Sequence, residues 1–167
     1  MGRIGMIAVI SECWANFGFG KAVTQNLNIE VKHMHAEGVT KIGKKLKAFQ
    51  RRVSDKFILI IDSERNNPAG RWVEGFLKNI ESKYGIPSSQ TFKAISIKKY
   101  KNREKIMIIL FEPFIEDAFI RKYDKEIDQK MDKYKHREGK DLIMSLVKDK
   151  NPDDIKEIAK NIFQFFS

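Results

Sequence analysis

This chain of 167 residues has a single cysteine, Cys13, which excludes an intrachain disulfide and any cysteine-based zinc cluster. That usage sets the expectation of a cytoplasmic protein. Long apolar runs are missing as well. The run from Ile4 to Ile10 is too short to span a bilayer and lacks the cleavage pattern of a secretory signal. A buried first strand is expected there, and no membrane partner. No internal repeat and no low-complexity linker divides the sequence. Acidic charge is scarce: 22 Asp and Glu stand against 32 Lys and Arg, for a formal net charge of +10. Such a balance favours a polyanionic partner, nucleic acid foremost, although lysine-rich surfaces also mark proteins from hot environments. A hydrophobic share of 42% beside 32% charged residues fits a soluble domain with a substantial core.

The densest apolar segment, Phe57-Ile58-Leu59-Ile60-Ile61, runs directly into Asp62-Ser63-Glu64. An unbroken run of β-branched and aromatic residues reads as a strand buried on both faces of a parallel sheet. Residues two apart on a strand point the same way, so Asp62 and Glu64 are expected to project together from its carboxyl end. Ligands of open α/β sheets bind at that edge. Paired carboxylates in a basic protein point to a divalent cation and a phosphate-bearing substrate.

Around this strand the chain alternates. Strand-like Ile4 to Ile10 is followed by a short helix expected over Gly20 to Leu27, then by alternation from Ile29 to His35. Ile42, Leu46, Phe49 and Val53 recur at helical spacing, with Thr40 as N-cap. Gly70 to Tyr84 carries a second helical stripe, which Gly85 ends. Phe92 to Ile97 and Ile106 to Phe111 read as further strands joined by the basic link Lys98 to Lys105, either a hairpin or a crossover. From Pro113 the pattern is helical, as one long helix or two shorter ones. A final helix is expected with Asn151 as N-cap and Pro152 at its first position. The fold class that follows is α/β, a mainly parallel sheet with helices on both faces. It spans residues 1–120, with a helical C-terminal extension over 121–167 packed on the same domain.

Acidic residues fall at three strand ends: Glu12, the pair Asp62 and Glu64, and Glu112. Three or four convergent carboxylates hold one Mg²⁺, or two metals about 4 Å apart, for phosphoryl displacement. Alone, any one of these residues reads better as a loop cap or a partner of a nearby lysine than as a metal ligand.

Glu12, Gly38 before the second helix, and Asp62-Ser63-Glu64 together resemble the ordered motifs of the Toprim domain of topoisomerases, primases and overcoming-lysogenization-defect nucleases. Asp62 to Trp72 and Leu110 to Asp117 are similar to segments of small standalone Toprim-like proteins of prokaryotes. The resemblance covers roughly the first 120 residues. It implies Mg²⁺-dependent (or Mn²⁺-dependent) phosphodiester chemistry by a nuclease or nuclease subunit. Glu12 would act in acid/base chemistry or metal binding, Asp62 and Glu64 as the metal pair, and Glu112 or Glu116 as a further acidic group. Two positions depart from the pattern: Glu64 stands where an aspartate is usual, and Cys13 where a glycine commonly follows the first glutamate.

Positive charge gathers in two places, Lys41, Lys44, Lys45, Arg51 and Arg52 on the second helix, and Lys98, Lys99, Lys101 and Arg103 with Tyr100 between them. Lysines of this kind hold a phosphate backbone, and Tyr100 is placed to stack on a base. Arg71 follows the acidic strand closely, as a stabiliser of charge on a phosphoryl group or an ion-pair partner of Glu64 or Glu74. Phe17-Gly18-Phe19-Gly20-Lys21 fails the phosphate-loop pattern, because Ala15 and Ala22 stand where glycine and Ser/Thr are needed, and reads as a flexible turn. His33 and His35 share a strand face without a third metal ligand. Two rival readings stay open: a non-catalytic module binding nucleic acid or a partner protein, and an enzyme acting on a nucleotide or other small phosphorylated substrate. A homodimer or a place in a larger complex is compatible with either.

Overall fold

The computed structural model describes residues 5–50 and 54–167, and Arg51 and Arg52 lie outside the described residues. Six strands form one sheet in the order β2-β1-β3-β6-β5-β4: β1 (Ile7–Ser11), β2 (Val31–His35), β3 (Lys56–Asp62), β4 (Ser88–Phe92), β5 (Ile95–Lys101) and β6 (Lys105–Phe111). β2, β1, β3 and β6 run parallel, and β5 and β4 are added antiparallel at one side. The α/β class with a mainly parallel sheet is therefore the fold of this chain.

Both faces of the sheet are covered, which explains why β3 and β6 carry unbroken apolar runs rather than alternation. Ala8, Ile10, Phe57, Leu59 and Ile61 pack under α2 (Val39–Gln50) and α3 (Gly70–Tyr84). Ile7, Val9, Ile58 and Ile60 pack on the opposite face, in one cluster with Phe19, Tyr134, Ile143 and Ile158. That second face is built by α1 (Trp14–Thr24), a π-helical turn (Glu116–Ile120) running into α4 (Arg121–Tyr123), α5 (Ile127–Lys135), α6 (Glu138–Lys150) and α7 (Asp153–Phe166). The C-terminal helices thus share the core of the sheet.

Several local expectations are corrected. The first helix starts at Trp14 rather than Gly20, so the glycine-rich stretch is helix, not a flexible turn. Its glycines serve close packing: a Cβ on Gly18 would meet the backbone carbonyl of Lys140 at 2.5 Å, and one on Gly20 would meet Ile60 Cδ1 at 2.9 Å. The strand expected over Phe92 to Ile97 is two strands turning at Lys93-Ala94, with Lys93 at φ 56°. Lys98 to Lys101 belong to β5 and not to a link. Asn151 closes α6 in a left-handed conformation (φ 45°) instead of capping α7, whose N-cap position is Pro152. The helical region after Pro113 breaks at Asp124, which leaves the helix at φ −114° and ψ 103°. Its carboxylate accepts the Glu126 N–H at 3.0 Å and the Tyr134 hydroxyl at 2.6 Å, so α5 restarts from it.

Candidate functional site

Parallel strands all end at one edge, so Ser11, His35, Asp62 and Phe111 stand side by side there, and the residues that follow them build the site. Glu12 follows β1. Its N–H donates to Ile60 O at 3.0 Å, and its Oε2 accepts the Asp62 N–H at 2.9 Å. Asp62 ends β3 with 7% of its surface exposed, and its Oδ1 accepts the Ile115 N–H at 3.0 Å. Glu64 holds a left-handed backbone (φ 51°), a costly conformation for a residue with a side chain. The Glu64 N–H donates to Pro113 O and the Asn67 N–H returns to Glu64 O, each at 2.9 Å, and these bonds fix the turn. Gly38 sits at φ 118°, where only glycine is comfortable, and donates its N–H to Glu12 O at 3.1 Å.

Electrostatics ties these groups together. Burial pushes the Glu12 carboxyl up to about 7; the Asp62 N–H works against the rise, and Glu64 and Glu116 add to it. Asp62 is raised well above the usual carboxylate range by burial first, then by Glu12 and Glu116. Glu116, on the π-helical turn, and Glu64 are raised by burial as well. Four carboxyl groups therefore crowd one sheet edge without enough positive charge to settle them. Glu112 stands apart, paired with Arg65 at 3.1 Å. The further acidic group of the edge is thus Glu116. Burial, with Asp62 adding to it, raises the Cys13 thiol, which removes its attraction as a nucleophile.

These residues fit a hard divalent cation in donor type and charge. Each of Glu12 and Asp62 spends one carboxylate oxygen on a backbone N–H and keeps the other. Ser11 Oγ and Asn16 Oδ1, both fully buried where β1 meets α1, have no hydrogen-bond partner among the described residues. Oxygens of this kind suit a bound cation or its water. Among the described residues no trio of Asp, Glu, His or Cys side chains is already arranged around a common point to hold a metal ion. Side-chain rotation has to complete any such site.

The basic residues divide between the two edges. The β5–β6 hairpin lies at the opposite end of the sheet from Asp62, because Lys105 is in register with Lys56 at the start of β3. Lys101 and Arg103 are carried there, whereas Lys98 and Lys99 sit mid-strand opposite Ile108 and Met107, and Lys99 donates to Asn161 Oδ1 at 2.8 Å. Tyr100 is 1% exposed beneath α3, its hydroxyl without a partner among the described residues, so the expectation that it stacks on a base is overturned. Lys41 pairs with Glu37 at 3.0 Å, and Lys45 lies close enough to His35 to lower its pKa. Lys44 and Arg71 face a groove of about 720 Å³ between α2 and α3, floored by Leu46, Phe76 and Ile80. Arg71 is exposed there beside Trp72 and forms no ion pair with Glu64 or Glu74 among the described residues.

One group at the acidic edge escapes the sequence reading. Trp14 stacks on His35 with ring centroids 3.9 Å apart and planes 15° from parallel. Arg137 and Lys140, at the start of α6, bring their charges 5.6 and 5.8 Å from the Trp14 ring centre. The position of Trp14 two residues after Glu12 was the available signal; nothing local announces that α6 would arrive beside it. Among the described residues no helix is long and apolar enough to cross a membrane. The chain matches no protein-family model, and no curated protein or solved structure matches it significantly.

Proposed function

We propose that this protein carries out Mg²⁺-dependent phosphodiester chemistry on nucleic acid, as a Toprim-like nuclease or nuclease subunit. The observation that carries the reading is the meeting of Glu12, Asp62, Glu64 and Glu116 at one sheet edge, where burial raises all four carboxyls and like-charge repulsion within the group adds to the rise of Glu12 and Asp62. A basic protein gains nothing in stability from such a cluster, whereas a cation relieves it. Asp62 and Glu64 are the proposed metal ligands, assisted by Glu12 or Glu116. Bound there, Mg²⁺ or Mn²⁺ would polarise the phosphoryl oxygens and lower the pKa of water. Glu12, with its carboxyl near 7, holds a proton about half the time at neutral pH, the balance a general acid/base needs. Its Oε2 is anchored on the Asp62 N–H, which leaves Oε1 as the atom that exchanges the proton. Asp62 is fixed by the Ile115 N–H and sets the position of the other groups.

The test is incubation with single- and double-stranded DNA and RNA, with Mg²⁺, Mn²⁺ or a chelator, for the native protein and for Asp62→Asn. Metal-dependent cleavage lost in the variant is the expected result. No cleavage of any substrate, together with no metal binding by calorimetry, overturns the assignment. The formal net charge of +10 supports a second reading, a nucleic-acid-binding module without chemistry. Metal-independent binding that Asp62→Asn leaves unchanged would select it.

A further inference from the structure

We propose that the C-terminal helices supply a phosphate-binding wall to the acidic edge, in which Arg137 and Lys140 hold the backbone of a single-stranded nucleic acid against the His35–Trp14–Phe17 aromatic face. The proposal rests on the nucleic-acid reading of the site and adds the residues that would grip the strand.

Four rings form a continuous row at the ends of β1 and β2. His35 lies flat on Trp14, the Phe17 ring stands edge-on to Trp14 at 5.4 Å, and His33 lies 5.8 Å from Phe17. All four are half-buried. Burial lowers the pKa of both histidines, that of His33 to about 4, which favours an uncharged aromatic row. Three cations border it: Arg137 and Lys140 over Trp14, and Lys21 over Phe17 at 5.4 Å. Aromatic faces bordered by cations are the elements of sequence-tolerant single-strand binding.

The row belongs to the acidic edge. Trp14 is separated from Glu12 by one residue, and Lys135, two residues before Arg137, is close enough to Glu116 to lower its pKa. Even so, Arg137, Lys140 and Lys135 form no ion pair among the described residues. Arg137 and Lys140 stay uncommitted over Trp14, apart from the carboxylates, and only Lys135 offsets part of the acidic charge, at Glu116. That separation suits a ligand with an anionic backbone, whose phosphates meet the cations while a metal meets the carboxylates. A guanidinium stacked on an indole keeps its N–H edge free for a phosphate.

The placement is enforced by packing. The first turns of α1 and α6 touch backbone to backbone at Gly18, where a Cβ would fall 2.5 Å from Lys140 O and 2.7 Å from Lys140 Cα. Arg137 and Lys140 therefore ride on a rigid contact with the helix that begins beside Glu12.

The experiment is fluorescence anisotropy of a labelled ten-nucleotide single strand, DNA and RNA in separate arms, in chelator and over a range of salt. Arg137→Gln with Lys140→Gln is expected to weaken binding at least tenfold. It should also flatten the dependence of log affinity on log salt by about 1.4, the share of two phosphates on a single strand. Lys148→Gln with Lys150→Gln, exposed at the far end of α6, should leave affinity within about twofold, a change too small to count as a lost phosphate contact. Arg137→Lys with Lys140→Arg keeps the salt slope. In a Trp72→Phe background Trp14 is the sole tryptophan, and strand addition should quench its emission. Competition by inorganic phosphate or a mononucleotide as effective as by the strand would place a small phosphorylated ligand there instead and overturn the proposal. So would a double glutamine variant that binds like the native protein, or a native protein that binds no single strand at low salt. Binding that follows these expectations without any cleavage in Mg²⁺ overturns the nuclease reading alone; cleavage with KM unchanged in Arg137→Gln/Lys140→Gln overturns this proposal alone.

Discussion

Glu12 Oε2 accepts the backbone N–H of Asp62 at 2.9 Å, so the carboxylate that ends β1 is fastened to the residue that ends β3. The bond lowers the Glu12 pKa, yet burial outweighs it and the carboxyl still titrates near 7. Position is thus bought with stability.

The pH dependence of folding should expose that cost. Glu12 rises from 4.5 to about 7 on folding, so its protonated form stabilises the fold below pH 4.5, and this contribution is lost as pH climbs through about 7. His33 behaves oppositely. Its pKa falls from 6.5 to about 4, so stability is whole above 6.5 and is lost as pH drops toward 4. Between pH 4.5 and 6.5 these two slopes oppose each other. Glu12→Gln, which can still accept the Asp62 N–H, should raise Tm at pH 8 by several degrees, the equivalent of at most about 3 kcal/mol, with no gain at pH 4. Across this window stability should fall less steeply with pH in Glu12→Gln than in the native protein, and more steeply in His33→Phe. Thermal melts by circular dichroism at half-unit pH steps give the slopes; parallel curves for both variants would contradict the assignment.

Tyr100 carries a buried hydroxyl that bonds to nothing among the described residues, under α3. Tyr100→Phe removes an unsatisfied polar group and leaves the ring in place, so it should stabilise the protein by about 1 kcal/mol. Chemical denaturation measures this directly. Nucleic-acid affinity should not change, because the ring never reaches the surface.

Glycines on the two helical faces predict opposite outcomes. A Cβ at Gly75 on α3 would meet nothing within 4 Å, so Gly75→Ala should add about 0.5–1 kcal/mol through helix propensity alone. Gly18→Ala would drive a Cβ into the Lys140 backbone, which has no flexible end to yield. A loss of about 1–3 kcal/mol is expected, with α6 displaced from α1. Urea unfolding of the two variants should differ in sign.

What the sequence made legible follows from what periodicity can carry. The two-sided burial of Phe57 to Ile61 and of Ile106 to Phe111 was readable because an apolar run has few other uses, and parallel order then brought Glu12, Asp62 and Glu64 to one edge. Local punctuation misled where tertiary packing decided. Asn151 has the side chain of an N-cap but takes the left-handed end of α6, and Gly18 and Gly20 look like a turn but are close-packing points of a helix. The alternation in β5 put Tyr100 inside with Ser96 and Lys98 on its face, although its charged neighbours suggested a basic loop. Nothing in residues 130–140 shows that α6 ends its approach against Trp14.

The last expectation separates two glutamates that the sequence leaves as alternatives. Glu112 is spent on Arg65 at the surface, whereas Glu116 contributes to the raised pKa of both Glu12 and Asp62. Glu116→Gln should therefore cost about 10–100-fold in metal-dependent cleavage, and Glu112→Gln no more than about threefold. A readout free of catalysis accompanies it. With the Glu116 charge gone, the Glu12 carboxyl should titrate below its native midpoint, while Glu112→Gln leaves that midpoint in place. Carbon-detected NMR titration of the glutamate carboxyls resolves the two cases. A midpoint that moves with Glu112 and not with Glu116 would assign the fourth carboxylate to Glu112 after all.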